Sequence, residues 1–233
     1  MITSTDSAVL VIAAHPDDEV LGAGGTIARL SNEGEKVYIA ILGEGLTARS
    51  ESRASTDREQ LTALKSDSAR AAERLGAADL FLHDLPDNRF DTVPLLDVVK
   101  IVEDLVQRIA PHTIYTHHAG DLNIDHGVVH RAVMTATRPT GDAAVSTVYA
   151  FEVPSSTEWS FGQLAPPFRA SVFVDVADTI DAKIEAMELY TSERRPFPHP
   201  RSPEALRALS SVRGAAAGLE AAEAFDLART IIR

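Results

Sequence analysis

The chain has 233 residues, 45% of them hydrophobic and 24% charged, proportions of an ordinary globular protein rather than a disordered or membrane-embedded one. A formal net charge of −12 argues against nucleic acid or an acidic membrane surface as partner, and the absence of cysteine excludes disulfides and thiolate metal ligands. The length suits one sizeable core, no apolar run is long enough for membrane insertion and no basic leader opens the chain, so a single cytoplasmic domain over residues 1–233 is expected.

Residues 9–14 are continuously apolar and predict a buried strand of the parallel type, which ends abruptly on His15, Pro16, Asp17, Asp18 and Glu19. Four ionisable side chains at the carboxyl end of a strand would each need a partner to leave water, so the strand delivers them to a site. His15 and Asp18, spaced H-x-x-D, can aim an imidazole nitrogen and a carboxylate oxygen at one point, a donor pair suited to zinc. Capping of the next helix is the plainer use of acidic residues, but a cap needs one carboxylate, not a histidine and three acids.

A helix is predicted over residues 21–33, with Gly34 as its stop. Gly22, Gly24 and Gly25 do not make the dinucleotide fingerprint, because Ile27 stands where G-x-G-x-x-G needs its last glycine. They are expected to let the helix start approach neighbouring backbone closely. Residues 36–42 predict a second buried strand, and the polar loop 43–57, with Glu44 and Arg53, overhangs the same sheet edge as the acidic cluster. Those two residues are the candidate substrate contacts, a solvated loop being the plainer reading.

Helices follow over 58–75 and 94–109, with a third strand at 79–82 between them. A fourth strand at 113–116 opens onto HHAGDLNIDHGVVH, and a helix is predicted over 125–137 with His126 and His130 on one face. Alternating strands and helices predict an α/β fold with a mostly parallel sheet covered on both faces, in which the two polar clusters meet at the carboxyl edge. Strands at 147–153 and 171–176 and a helix at 179–190 complete the regular part. Prolines 196, 198, 200 and 203 then impose an extended segment, and a last helix is expected from about 205 to the end, broken near Gly214.

The chain resembles the LmbE-like (PIG-L) zinc-dependent N-acetylglucosaminyl deacetylases. AHPDDE at residues 14–19, the Asp125–His126 pair opening a helix, and the tail RG-x(3)-G-x(2)-AAEAF over 213–225 carry the resemblance. It implies a Rossmann-like three-layer sandwich without a nucleotide, Zn2+ held by His15, Asp18 and His126, and Asp17 as general base in removing an acetyl group from an amino-sugar substrate. One position departs from the family: a histidine thought to stabilise the oxyanion is replaced by Asn123. An amide can donate a hydrogen bond but cannot supply a proton, so the leaving amine needs another acid. His199, between prolines, and Asp17 acting first as base and then as acid are the two candidates. Amide hydrolysis on a non-sugar substrate and a non-catalytic sugar-binding relative remain as alternatives, and a homo-oligomer is left open.

Overall fold

The computed structural model describes residues 8–46, 58–140, 145–164 and 166–232. Its strands are β1 (Ala8–Ala13), β2 (Lys36–Gly43), β3 (Asp79–Leu85), β4 (Thr113–His117), β5 (Thr147–Phe151), β6 (Val172–Asp175) and β7 (Ala222–Thr230). Its α-helices are α1 (Asp18–Asn32), α2 (Arg58–Arg74), α3 (Leu95–Ile109), α4 (Ile124–Ala136), α5 (Ile180–Leu189) and α6 (Pro203–Ala217). The strands form one seven-stranded sheet in the order β3-β2-β1-β4-β5-β7-β6, with β7 antiparallel to both neighbours and the pairs from β3 through β5 parallel.

The alternation of side chains along β1 divides the core between two faces. Val9, Val11 and Ala13 pack with α1, α2 and α5 residues such as Ile27, Leu64 and Met187, while Leu10, Ile12 and Ala14 pack with Val98, Val102 and Val133 of α3 and α4. Buried on both faces, β1 has to read as a continuous apolar run, and it does. Among the described residues no helix is long and apolar enough to cross a membrane.

The last third departs from the sequence expectation. The final helix stops at Ala217, where Gly218 takes a left-handed φ of 74°, and the alanine-rich stretch after it is β7 rather than more helix. Its buried Ala222, Ala224 and Phe225 fill a gap in the sheet that a helix could not. Strand β3 runs three residues past its expected end and pairs Leu85 with Gly43, and α1 begins at Asp18, so the acidic residues belong to its first turn. The early glycines of α1 make room for side chains rather than backbone: a Cβ on Gly22 would lie 2.3 Å from Phe151 Cδ2.

A buried ion pair ties the late strand to this frame. Glu223 of β7 accepts the N–H groups of Gly25 and Thr26 in α1 and a bond of 2.6 Å from Lys183 Nζ of α5, which also donates to Leu21 O.

Candidate active site

β1 and β4 are parallel neighbours whose connections leave in opposite directions, so a crevice opens at their carboxyl ends. His15, Asp17 and Asp18 enter it from β1, and Asn123 and His126 from the start of α4. Asp17 turns the chain there with a φ of 101°, in the left-handed region that costs a non-glycine residue about 1–3 kcal/mol. With Leu21 N donating to Asp17 O at 2.9 Å and Asp17 N to Glu19 Oε2 at 3.1 Å, the strained residue is held on both sides. Glu19 is itself fixed by Tyr190 OH at 2.5 Å, and burial lifts its pKa to about 7.

His15 Nδ1 and His126 Nε2 each stand 3.2 Å from Asp18 Oδ2, and the ligand atoms of the three residues lie within 4.8 Å of one another. The far side of the His15 ring meets Asp125 Oδ2 at 2.9 Å and Asp87 Oδ1 at 3.3 Å. A hydrogen on Nε2 shared with Asp125 would leave Nδ1 as the donor nitrogen. Asp125 is in turn fixed by Phe90 N–H at 2.9 Å.

His126 Nδ1 lies 3.0 Å from Asp121 Oδ1 and its Nε2 3.2 Å from Asp18 Oδ2, close charge contacts, while neither buried nitrogen has a hydrogen-bond partner. Asp121 accepts Ser156 Oγ, Thr157 Oγ1 and Asn123 N; His126 beside it, with the Ser156 and Thr157 hydroxyls, outweighs burial and holds its carboxyl at about 2.

The charges follow from this crowding. Burial lowers the proton affinity of His15, yet its bonds to Asp125 and Asp18 outweigh it and raise the pKa to about 10. His126 is likewise lifted, to about 9, by Asp18 and Asp121. Burial raises the Asp18 carboxyl, but His126 and His15 bring it well below the usual range. Burial pushes Asp17 well above its ordinary value against the opposing charge of Arg201. His117, stacked 3.9 Å from His126, is kept neutral by burial, and its Nε2 accepts Ala14 N–H at 2.8 Å.

Two imidazoles and one carboxylate converge with a buried imidazole nitrogen lacking any bond, a donor set that fits a divalent metal. The surrounding pocket, of about 170 Å³, is lined by these residues together with Asn88, Ser155, Glu193 and Arg201.

Asn123 caps α4 through Oδ1, which accepts Asp125 N–H at 2.9 Å, and gives one amide hydrogen to Asn88 Oδ1 at 3.0 Å. His199 is not brought to the cluster. The turn after Pro196 sets its ring 5.8 Å from Trp159, and its Nδ1 accepts Arg201 N–H. The proline segment instead inserts Arg201, whose Nη1 reaches Asp17 Oδ2 at 2.6 Å and Glu193 Oε2 at 3.1 Å while Nε donates to Ser155 Oγ. Glu44 is buried at the end of β2 with its N–H on Leu85 O, and its neighbours Gly45 and Leu46 line the pocket in its place. Arg53 lies outside the described residues. His130 turns away from the cluster, its Nδ1 bonded to His117 O at 2.8 Å.

The sequence reading singled out neither Arg201 nor the roles of Asp87, Asp121 and Asp125. The two aspartates 87 and 121 each follow a strand's carboxyl end, a signal it could have used, whereas nothing periodic marks Arg201.

Comparison with known proteins agrees with this architecture. Residues 10–137 match the PIG-L family, described as GlcNAc-PI de-N-acetylase. The chain is 30% identical over 153 residues to the uncharacterized deacetylase YaiS of Escherichia coli K12, covering 64% of this chain and 75% of that one. It is 25% identical over 190 residues to the probable N-acetyl-alpha-D-glucosaminyl L-malate deacetylase 2 of Bacillus cereus, covering 79% and 83%. In fold it resembles GalB, the 4-carboxy-2-hydroxymuconate hydratase from Pseudomonas putida KT2440, with a TM-score of 0.74, 23% identity and coverage of 97% and 98%. With the match spanning more than half of its length and the His15, Asp18 and His126 cluster at the carboxyl edge of the sheet, the chain belongs to the PIG-L family of deacetylase enzymes.

Proposed function

We propose that this enzyme is a zinc-dependent hydrolase that removes the acetyl group from an N-acetylglucosamine-type amino sugar or its conjugate, giving acetate and a free amine. The observation that carries the reading is the buried convergence of His15, Asp18 and His126 beside the carboxylate of Asp17. The family description and the Bacillus cereus relative support the sugar part.

His15, Asp18 and His126 would hold the metal, with Asp125 orienting the His15 imidazole through a hydrogen bond and the Asp121 carboxylate lying against His126 Nδ1. A bound divalent metal supplies Lewis acidity, lowering the pKa of water and polarising a carbonyl. Asp17 takes the proton of the attacking water, and its carboxylate is aimed by Arg201. Asn123 Nδ2 has a second hydrogen to offer the carbonyl oxygen as negative charge grows there, worth on the order of 3 kcal/mol in the transition state. With His199 turned toward Trp159, Asp17 passes its proton on to the leaving amine.

The test is acetate release from a panel of N-acetylglucosamine conjugates by wild type and by Asp17→Asn. Turnover by wild type and a loss of about 100-fold or more in the variant, with zinc content unchanged, is expected. An inactive wild type that instead hydrates an unsaturated tricarboxylate such as 4-carboxy-2-hydroxymuconate, the substrate in the Pseudomonas putida neighbour's name, would overturn the reading.

A further inference from the structure

Glu19 is a buried acid that the mechanism leaves unused: it does not line the catalytic pocket and belongs to neither group of converging ligand atoms. Its carboxylate accepts Asp17 N–H through Oε2 at 3.1 Å and Tyr190 OH through Oε1 at 2.5 Å, and so stands as a bracket between the two. Tyr190, at the end of α5, is fully buried in the same apolar cluster as Val20, Leu64 and Met187. A phenylalanine would pack there as well, without the cost of burying a phenol and a carboxyl together. What the pair supplies is therefore position. The chain of bonds ends on the backbone of Asp17, whose φ of 101° has to be held against strain.

The main chain of Tyr190 reaches Asp17 by a second and independent route. Tyr190 O accepts Glu193 N–H at 2.9 Å and Arg194 N–H at 3.1 Å, which fixes the turn after α5. Glu193, itself buried, then holds Arg201 Nη1 at 3.1 Å, the same nitrogen that reaches Asp17 Oδ2 at 2.6 Å. One residue thus anchors the Asp17 main chain through Glu19 and the Asp17 carboxylate through Glu193 and Arg201.

We propose that Tyr190 is a positioning residue for the reaction, whose hydroxyl, through Glu19, keeps Asp17 in the left-handed turn from which its carboxylate meets the attacking water and the leaving amine. The inference deepens the deacetylase reading and rests on its assignment of Asp17. Tyr190→Phe removes the hydroxyl and leaves the carbonyl route in place, so it isolates the clamp on the main chain.

Wild type, Tyr190→Phe, Asp17→Asn and the double variant are compared as zinc-loaded enzymes, well below their melting temperatures. Tyr190→Phe should lower kcat about tenfold or more with KM and zinc content unchanged, since misplacing a reacting group by about 1 Å can cost roughly 100-fold. In the Asp17→Asn background the same change should cost less than about twofold, because a residue that acts through the Asp17 carboxylate has nothing left to aim. A merely structural tyrosine would cost the same in both. The second readout needs no substrate. Amide hydrogen exchange followed by NMR should be at least about tenfold faster at Asp17 N–H in Tyr190→Phe, with the interior amides of β1 and α5 unchanged. Glu19→Leu, which keeps bulk but offers no acceptor, should reproduce both effects, and it replaces Tyr190→Phe if that variant fails to fold. Equal losses in the two backgrounds, a kcat within about twofold of wild type, or an Asp17 amide as protected as in wild type would overturn the proposal. Wild-type turnover by Asp17→Asn would instead sink the assignment of the base on which it rests. If no N-acetyl sugar is turned over, or Asp17→Asn has no measurable rate, the exchange measurement still decides the clamp.

Discussion

Replacing Asp125 by asparagine should weaken metal binding without touching a metal ligand. The carboxylate is fully buried, accepts Phe90 N–H through Oδ1 at 2.9 Å and holds His15 Nε2 through Oδ2 at 2.9 Å. Asparagine has the same shape but one acceptor oxygen, so its amide hydrogens must face either the Phe90 N–H or the Nε2 hydrogen of His15. A buried donor left without an acceptor costs about 1–3 kcal/mol. If that cost falls on the His15 orientation, zinc affinity should drop by about 10- to 100-fold, the range seen when the groups orienting metal ligands are removed. Competition with a chromogenic zinc chelator measures it, with a thermal melt of the metal-free proteins as control for folding. Asp125→Asn that binds zinc within twofold of wild type, with the same melt, would refute the idea that Asp125 sets the His15 ring.

Zinc uptake at pH 7.5 should expel protons, because His15 and His126 are held to about 10 and 9 in the metal-free protein and must give up a proton each to ligate. Calorimetry in buffers of different ionisation enthalpy should count about two, and a count of zero would contradict the protonated state that the surrounding carboxylates impose on both imidazoles. By the same shifts, both folded values being above the unfolded 6.5, these histidines stabilise the metal-free protein fully below pH 6.5, and that contribution fades as pH rises through 9 to 10. Glu223→Ala should destabilise the protein by roughly 3–5 kcal/mol in urea unfolding, since it strands the buried Lys183 ammonium and two α1 N–H groups; a loss under about 1 kcal/mol would show that water replaces the carboxylate. Arg201→Ala should lower kcat by about tenfold or more, because it frees the Asp17 carboxylate to leave its position, whereas His199→Gln should keep kcat/KM within about twofold. Equal effects of the two substitutions would mean that the proline segment acts as a whole.

Strand β1, the parallel sheet and the meeting of the two polar clusters were legible because each rests on local pattern: a continuous apolar run, alternation of strands with amphipathic helices, and the rule that ligands gather where neighbouring connections diverge. Strand β7 was not, because AEAFDLART has the alanine content of a helix and becomes a strand only by filling the space between β5 and β6. Arg201 was missed for a related reason. Its partners Asp17 and Ser155 lie far away in sequence, and flanking prolines say that a segment is stiff without saying which side chain points inward. The three helping aspartates were visible as letters, but which imidazole each one serves depends on β4 lying next to β1 and on β3 lying beyond β2 on its other side.

Stripping the enzyme of metal and restoring zinc in steps while following acetate release from its best N-acetylglucosamine conjugate tests the central claim most directly. Activity should be absent in the stripped protein, rise linearly, and level off at about one zinc per chain, with His126→Ala showing no rise over the same range. Acetate release from the stripped protein, or a His126→Ala protein that recovers with wild-type stoichiometry, would contradict it.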